Sequence, residues 1–113
     1  MGSIDKISVF FPAYNEEENI ENTVKKAIKV LEKNFSKWEI IIVNDGSIDK
    51  TGKIADRLAE VNPNISVIHH NPNRGYGGAF KSGLYAARYP WITFTDSDGQ
   101  FDFSEITTIS ALG

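Results

Sequence analysis

The residues best suited to bind a metal ion are Asp96, Asp98 and Gln100, which occupy alternate positions after a short apolar run. Two carboxylates two positions apart can converge on one cation, because a positive charge between them offsets the repulsion of their like charges. A site made of oxygen ligands suits a hard divalent ion, Mg²⁺ or Mn²⁺. A turn that caps the next helix explains the two aspartates about equally well, because Asp is a common turn residue.

A further carboxylate, that of Asp45, follows a second apolar run and can accept hydrogen bonds from the N–H groups of a nucleobase. Such contacts would make a site selective for one base. However, the Asn-Asp-Gly-Ser segment at 44–47 is also typical of a simple turn. From these residues alone, the turn is the favoured interpretation.

The segment from Pro12 to Glu16 leads out of the first apolar run. Asn15 is predicted to be the N-cap of a helix, with negatively charged residues in the first turn. A helix N-terminus leaves backbone N–H groups open to an anion, and Tyr14 offers a flat face to a base. The alternative is that Tyr14 is simply half-buried, and we expect Asn15 to cap the helix in either case.

The segment 73–78 is rich in glycine, which lets the backbone approach a ligand closely. Arg74 adds a fixed positive charge suited to phosphate oxygens. The glycine spacing differs from the dinucleotide-binding fingerprint, which also follows the first strand rather than the third. A flexible connector before a helix explains the segment about equally well.

Two adjacent histidines, His69 and His70, end the third apolar run. Neighbouring side chains on a strand point to opposite faces of the sheet. The pattern therefore predicts one packed and one exposed histidine, and it argues against a shared metal ion.

An alternation of strands and helices must position these residues. Strands are predicted at 7–11, where Pro12 ends the strand, and at 38–43, 65–69 and 91–95. Helices are predicted from Asn15 to Phe35, after Ser47 with Ile54, Leu58 and Val61 inward, from near Ala79 to Ala87, and from near Asp102 with Ile106, Ile109 and Leu112 inward. This order predicts an α/β fold, a mostly parallel sheet flanked by helices. All the candidate loops follow strands, so they share the edge where such sheets bind ligands.

The composition fits one small domain of 113 residues. A formal net charge of −3 provides no basic stripe for nucleic acid. The absence of cysteine excludes disulfides and thiolate chemistry. No apolar run approaches the roughly 20 residues that a membrane helix needs, and no signal-peptide pattern opens the chain. We therefore expect a cytoplasmic location.

Taken together and in order, the motifs resemble the N-terminal half of family 2 glycosyltransferases with the GT-A fold, which is Rossmann-like. The resemblance runs from Ile7 to Ile106. Its motifs are Phe11 to Glu17, Ile42 to Ser47 with Asp49 and Thr51, Asn73 to Ala79, and Thr95 to Asp98. Each motif is weak alone, but four in this order are specific.

The resemblance implies roles for individual residues. The nucleotide-sugar would be bound by Pro12, Ala13, Tyr14, Glu16, Asp45, Arg74, Gly75 and Asp96. Within this set Asp45 would recognise the base. Asp96 and Asp98 would be the D-x-D pair that binds Mg²⁺ or Mn²⁺, with Gln100 facing the same metal.

The implied reaction is transfer of a sugar, with inversion, from a UDP- or GDP-linked donor. The D-x-D-x-Q form is most similar to the polyprenyl-phosphate glycosyltransferases of the dolichyl-phosphate mannose synthase type. A hydroxyl acceptor normally needs a general base. A phosphate acceptor already carries negative oxygen and can dispense with one.

In the family the acceptor site and any general base lie beyond the D-x-D. We therefore expect residues 1–113 to form a single donor-binding domain of a longer enzyme, inactive without its C-terminal part. We expect that longer enzyme to be associated with a membrane at the cytoplasmic face. A sheet cut at its fourth strand would expose apolar surface, which predicts self-association.

Two other hypotheses compete with this one. The first is a non-catalytic nucleotide-binding or interaction module with a degenerate glycosyltransferase fold. The second is a phosphotransfer enzyme that uses its D-x-D for nucleophilic attack. The second is disfavoured because such a pair usually follows the first strand of the sheet, whereas Asp96 and Asp98 follow the fourth.

Overall fold

The computed structural model describes residues 5–95 and the backbone of a strand at 107–110. The elements are β1 (Lys6–Ala13), α1 (Ile20–Asn34), β2 (Lys37–Asp45), α2 (Thr51–Val61), β3 (Ile65–His70), α3 (Gly75–Ala86), β4 (Trp91–Phe94) and β5 (Thr107–Ser110). Strands and helices alternate from β1 to β4, as the sequence predicts.

The strands form one sheet in the order β3-β2-β1-β4-β5. β1 to β4 are parallel, and β5 runs antiparallel to β4. The predicted α/β fold with a mostly parallel sheet is therefore confirmed. The carboxyl ends of β1, β2 and β3 lie side by side, with Ala13 opposite Asn44 and Asp45 opposite His70.

Apolar side chains cover both faces of the sheet. One cluster packs α1 and α2 against one face and includes Val9, Phe11 and Leu31. The other packs α3 against the opposite face and is centred on Phe10, which makes an edge contact with Phe80 at 5.2 Å between ring centroids. From Trp38 to Asp45 β2 is buried throughout, as expected for a strand with helices on both sides.

β1 continues through Pro12 instead of ending there. Residues of a parallel strand alternate the side to which they present N–H and C=O groups, and the Phe10 carbonyl accepts the Thr95 N–H on the β4 side. Pro12 is two residues after Phe10, so its nitrogen also faces the β4 side. The β4 ladder stops at Phe94, opposite Phe10, and no donor is needed at Pro12.

The prediction that Asn15 caps α1 is wrong. α1 begins at Ile20, and Asn15 has a positive φ of 53°. The Glu16 carbonyl accepts the N–H groups of Asn19 and Ile20, which forms a turn before the helix. The reason is tertiary: Asn15 is bonded to the loop after β2, so its side chain cannot cap a helix.

The predicted start of α3 near Ala79 is also wrong, because the helix begins at Gly75. The glycine-rich segment therefore forms the first turn of a helix instead of a loop. Gly75 has a φ of 81°, which only glycine adopts readily. A Cβ on Gly78 would lie 2.7 Å from the Arg74 Cβ, so close packing overrides the low helix propensity of glycine.

Of the residues predicted to face inward on α2, Leu58 is buried and Ile54 packs against the core. The prediction for Val61 is wrong, since its side chain is 77% exposed. Val61 is the last residue of the helix, and it lines a shallow groove beside Glu21 and Lys25 of α1.

The prediction of a last helix from Asp102 is wrong where the structure describes the chain. Residues 107–110 form β5, with Thr107 opposite Phe94 and Ser110 opposite Trp91. The segment is rich in β-branched residues, which favour strands, and it pairs with the free edge of β4. Ile106 and Leu112 lie outside the described residues. The sheet does not end at its fourth strand, and self-association stays a prediction.

A buried carboxylate fixes the connection between α3 and β4. Glu39 Oε2 accepts the Ser8 hydroxyl and the Arg88 N–H, both at 2.6 Å, and Oε1 accepts Arg88 Nε at 2.9 Å. The Tyr89 N–H donates to Ser8 Oγ at 3.1 Å. These bonds hold the chain before β4 against β1 and β2, near the amino ends of the strands.

None of the helices that the described residues form has the length and apolarity of a bilayer span.

Candidate functional site

Three loops meet at the carboxyl edge of the sheet, and they are joined to one another by hydrogen bonds. They follow β1 (residues 14–19), β2 (46–50) and β3 (71–74). A Cβ on Gly46 would lie 2.7 Å from the Asn73 nitrogen, which shows how closely the second and third loops pack. The site is thus a continuous surface and not three separate turns.

The first two loops exchange hydrogen bonds at Asn15. The Asn15 N–H donates to Ser47 Oγ, and the Ile48 N–H donates to Asn15 Oδ1, both at 2.9 Å. This reciprocal pair occupies both the backbone and the side chain of Asn15. It accounts for the left-handed conformation of Asn15, which Asn tolerates better than most residues.

Asp49 continues the contact between these loops. Its Oδ1 accepts the Thr51 N–H at 2.9 Å, and its Oδ2 accepts the Glu17 N–H at 3.2 Å. The Lys50 N–H donates back to Glu17 Oε1 at 2.9 Å, and the Glu16 N–H donates to Thr51 Oγ1 at 2.8 Å. Burial alone would raise the pKa of the Asp49 carboxyl, but the bonds from Thr51 and Glu17 hold that pKa below its ordinary value of 3.8.

Asp45 is the last residue of β2 and lies where the second and third loops meet. Its side chain is only 5% exposed. Oδ1 accepts both His70 Nδ1 and the Arg74 N–H at 2.8 Å, and the Asp45 carbonyl accepts Asn73 Nδ2 at 2.7 Å. Burial alone would raise the pKa of the Asp45 carboxyl, but the bonds from Arg74 and His70 hold it below its ordinary value of 3.8. Asp45 is therefore a fixed carboxylate at neutral pH.

The two histidines differ as predicted, with one packed and one exposed. His70 is 3% exposed, whereas the side chain of His69 is 43% exposed. His70 lies between Asp45 and Ser82, and its Nε2 is 2.8 Å from Ser82 Oγ. His69 instead contacts Asp56 on the surface of α2.

The structure brings the predicted nucleotide-sugar-binding residues of the described range to this one edge. Pro12 and Ala13 are buried at the end of β1, and Tyr14, which follows them, is 50% exposed. Glu16 is half-buried in the same loop, with its N–H bonded to the second loop. The other members, Asp45, Arg74 and Gly75, follow β2 and β3. Their roles toward a ligand remain predictions.

The predicted metal ligands Asp96, Asp98 and Gln100 lie outside the described residues. Thr95 immediately precedes them, and its N–H donates to the Phe10 carbonyl at 3.2 Å. The chain therefore leaves β4 at the edge that carries the three loops. Within residues 5–95 no group of three or more His, Cys, Asp or Glu side chains could hold a metal ion. The oxygen donors that follow Thr95 fit Mg²⁺ or Mn²⁺ by their chemistry.

Sequence reasoning missed the contact between Asp45 and His70. These two residues are direct partners in the parallel register of β2 and β3. A predicted register between β2 and β3 would reveal the contact between Asp45 and His70, because it places the ends of the two strands side by side. The bond from the Asn15 N–H to Ser47 Oγ gives no such signal, since it depends on how the loops fold.

Comparison with known proteins agrees with this architecture. Residues 8–110 match the family described as glycosyl transferase family 2. The chain is 36% identical over 110 residues to a dolichyl-phosphate beta-glucosyltransferase of Dictyostelium discoideum, covering 91% of this chain and 34% of that protein. It is 33% identical over 108 residues to the enzyme of the same name from Homo sapiens, covering 89% and 33%.

Solved structures of glycosyltransferases share the fold. The mannosyltransferase PcManGT of Pyrobaculum calidifontis, in complex with GDP-Man and Mn²⁺, superposes with a TM-score of 0.70 at 26% identity, over 81% of this chain and 27% of that one. S. aureus TarS 1–349 in complex with UDP gives a TM-score of 0.69 at 29% identity, over 82% and 27%.

The chain spans about a third of the length of these curated relatives. The family match nevertheless covers nearly all of the chain, and the GT-A fold that the motifs imply is confirmed by the solved structures. The chain belongs to glycosyl transferase family 2.

Proposed function

We propose that the protein transfers a glycosyl group from a nucleoside-diphosphate sugar to a polyprenyl phosphate, and that this chain supplies the donor site. The observation that carries the proposal is the position of Asp45. A buried carboxylate is fixed where the second and third loops meet, at the edge of the sheet where α/β proteins bind ligands.

In this proposal Asp45 accepts N–H groups of the base. Both uracil and guanine present such groups, and UDP and GDP-Man are bound by TarS and PcManGT respectively. The half-exposed ring of Tyr14 provides a face for the base, beside Pro12 and Ala13. Arg74 has an exposed side chain next to Gly75, and its charge suits the diphosphate.

The names of the relatives support the acceptor and the stereochemistry. These names describe the transfer of glucose to dolichyl phosphate with formation of a beta linkage. A donor whose sugar is linked alpha to its diphosphate gives a beta product by a single inversion. We therefore propose UDP-glucose as the donor, a polyprenyl phosphate as the acceptor and inversion at the anomeric carbon.

The proposed reaction is a direct displacement. An oxygen of the acceptor phosphate forms a bond to the anomeric carbon, and the bond from that carbon to the diphosphate oxygen breaks with its electron pair. The acceptor is already anionic near neutral pH, because the second pKa of a phosphate monoester is about 6, so no general base is required. Mg²⁺ or Mn²⁺, when held by Asp96, Asp98 and Gln100, would offset charge on the leaving diphosphate.

We propose that residues 1–113 form a single donor-binding domain. The acceptor site and any further catalytic groups then belong to other parts of a longer protein, as the shared third of the relatives' length suggests. A polyprenyl phosphate resides in a membrane, whereas a nucleotide sugar is water-soluble. We therefore propose that the enzyme acts at the surface of a membrane, and its location at the cytoplasmic face stays a prediction.

A transfer assay tests the proposal. The protein expressed from its complete gene is incubated with dolichyl phosphate, Mn²⁺ and radiolabelled UDP-glucose or GDP-mannose. We expect label in the lipid fraction from UDP-glucose, and a loss of at least about tenfold in Asp45→Ala, the cost of roughly one hydrogen bond to a charged group. The matched control is Asp56→Ala, which removes an exposed aspartate on α2.

The assay also separates the alternative. Nucleotide binding without transfer to any acceptor would indicate a non-catalytic nucleotide-binding module. Transfer that survives intact in Asp45→Ala would contradict the role of Asp45 in the donor site.

A further inference from the structure

His70 is a buried histidine whose two ring nitrogens both have partners. Nδ1 is 2.8 Å from Asp45 Oδ1, and Nε2 is 2.8 Å from Ser82 Oγ. The ring therefore links the end of β2 to the middle of α3. Neither contact reaches solvent freely, because the side chain of His70 is 2% exposed and that of Asp45 is 5% exposed.

The chemistry of the partners fixes the proton on one side of the ring. An ionised carboxylate only accepts hydrogen bonds, so His70 Nδ1 must donate to Asp45. Nε2 can then accept the Ser82 hydroxyl. The order Asp45, His70, Ser82 is that of a hydrolytic triad, but Ser82 lies within α3 and faces the ring from a half-buried position. The chain of bonds therefore connects the middle of α3 to Asp45, at the edge of the sheet that carries the three loops.

Within residues 5–95, the groups bonded to the side chains of this chain of bonds come from three elements. From β2 the facing group is Asp45, from the loop before α3 it is the Arg74 backbone N–H, and from α3 it is the Ser82 hydroxyl. His69, the neighbour on β3, points to the other face and contacts Asn44 and Asp56. The Arg74 N–H and His70 thus share one oxygen of Asp45, which prevents rotation of that carboxylate.

We propose that His70 is a positioning residue for base recognition: it holds one oxygen of Asp45 so that the carboxylate is presented to the base of the donor nucleotide. The inference rests on the proposed function, since it gives Asp45 a ligand. His70 and, through His70, Ser82 thereby contribute to nucleotide specificity. Neither residue contacts the ligand.

Two amide substitutions separate the two ring nitrogens. In His70→Asn the side-chain NH₂ can occupy the place of Nδ1 and still donate to Asp45. In His70→Gln the longer side chain places its amide near Nε2 and leaves Asp45 without this donor. Both variants keep a neutral polar group in the same pocket, and Ser82→Ala removes only the partner of Nε2.

The affinities of the protein expressed from its complete gene are measured by calorimetry for UDP, for GDP and for pyrophosphate, each with Mn²⁺. Pyrophosphate lacks a base, so it reports on the metal and diphosphate part of the site alone. We expect His70→Gln to weaken binding of the preferred nucleotide about tenfold and His70→Asn to weaken it no more than about threefold. Pyrophosphate binding should stay unchanged in both variants.

The outcomes are distinct. Equal nucleotide affinity in His70→Gln and wild type would overturn the inference while leaving the proposed function intact. A parallel loss of pyrophosphate binding would also overturn it, because His70 would then support only the fold. If the wild-type protein binds neither nucleotide, the proposed function fails and the inference fails with it. A ¹⁵N NMR spectrum that shows His70 protonated at Nε2 alone would overturn the inference independently.

Discussion

At the scale of single residues, the site is built from carboxylates that the protein itself holds in place by hydrogen bonds. Asp45 and Asp49 each accept backbone N–H groups from a neighbouring loop. Such bonds stabilise the ionised form and lower its pKa. The same bonds fix where each carboxylate points, so the electrostatics and the geometry of the edge depend on one another.

Asp49→Asn is predicted to lower the free energy of unfolding at pH 7 by about 1–2 kcal/mol, because an amide nitrogen cannot accept the Glu17 N–H. The pKa of Asp49 is lowered on folding from an ordinary value of 3.8. Its contribution is therefore fully present above pH 3.8 and is lost as the pH falls through the lower pKa of the folded state. Urea unfolding at pH 7 and at several values below 3.8 measures this. The variant should approach wild type at low pH, and a difference that is independent of pH would contradict the account.

The location of the site could be predicted from sequence at this scale, but its bonding could not. Asp45 and Arg74 both follow predicted strands, so their meeting at one edge follows from the topology. The role of Asn15 was predicted wrongly and that of His70 was missed. Both depend on contacts with residues about 25 or more positions away, which local propensities do not register.

At the scale of elements, close packing decides where α3 lies. Gly83 faces the Phe10 ring, and a Cβ at this position would overlap the ring atoms. Glycine is therefore required there for the helix to approach β1. The approach matters for the site, because α3 carries Ser82 and begins directly after Arg74.

Gly83→Ala is predicted to lower the free energy of unfolding by about 1–3 kcal/mol, because the added methyl group must displace the Phe10 ring. Gly77→Ala is the matched control on the same helix, since a Cβ there has no atom within 4 Å. It should be neutral or stabilising by up to about 1 kcal/mol, the difference in helix propensity. Equal effects of the two substitutions in thermal unfolding would refute the packing argument.

Glu39→Ala is predicted to cost about 2–4 kcal/mol, because it leaves the buried Ser8 hydroxyl and the Arg88 N–H without their acceptor. Arg88→Ala removes only the contact made by a side chain that is 69% exposed, so it should cost less than about 1 kcal/mol. Denaturant unfolding of both variants measures the difference. A similar small loss in both would show that the buried carboxylate does not anchor β4.

Element boundaries were the weakest part of the sequence prediction, and each error has a local cause. The low helix propensity of glycine predicts a loop at the start of α3, but Gly75 supplies a positive φ there and Gly78 packs closely against Arg74. The apolar spacing predicts a helix that includes 107–110, but the β-branched composition of this segment and the edge of β4 favour a strand.

At the scale of the whole molecule, the order of strands and helices determines where a ligand site can lie. Parallel strands place the ends of β1, β2 and β3 at one edge, and all the predicted donor-binding residues within the described range lie there. The alternation of strands and helices in the sequence predicts this arrangement, because right-handed crossovers leave few other topologies. The antiparallel β5 did not follow, since a strand that reverses direction breaks the alternation.

We propose that this edge binds a nucleoside diphosphate in a metal-dependent manner through Asp45 and Asp98. Its most direct test is calorimetric titration of the protein expressed from its complete gene with UDP and with GDP, each with and without Mn²⁺. We predict that one nucleotide binds with Mn²⁺, that Asp45→Ala weakens this binding by at least about tenfold, and that Asp98→Ala abolishes the effect of the metal. Binding of neither nucleotide, or binding indifferent to both substitutions, would contradict the account.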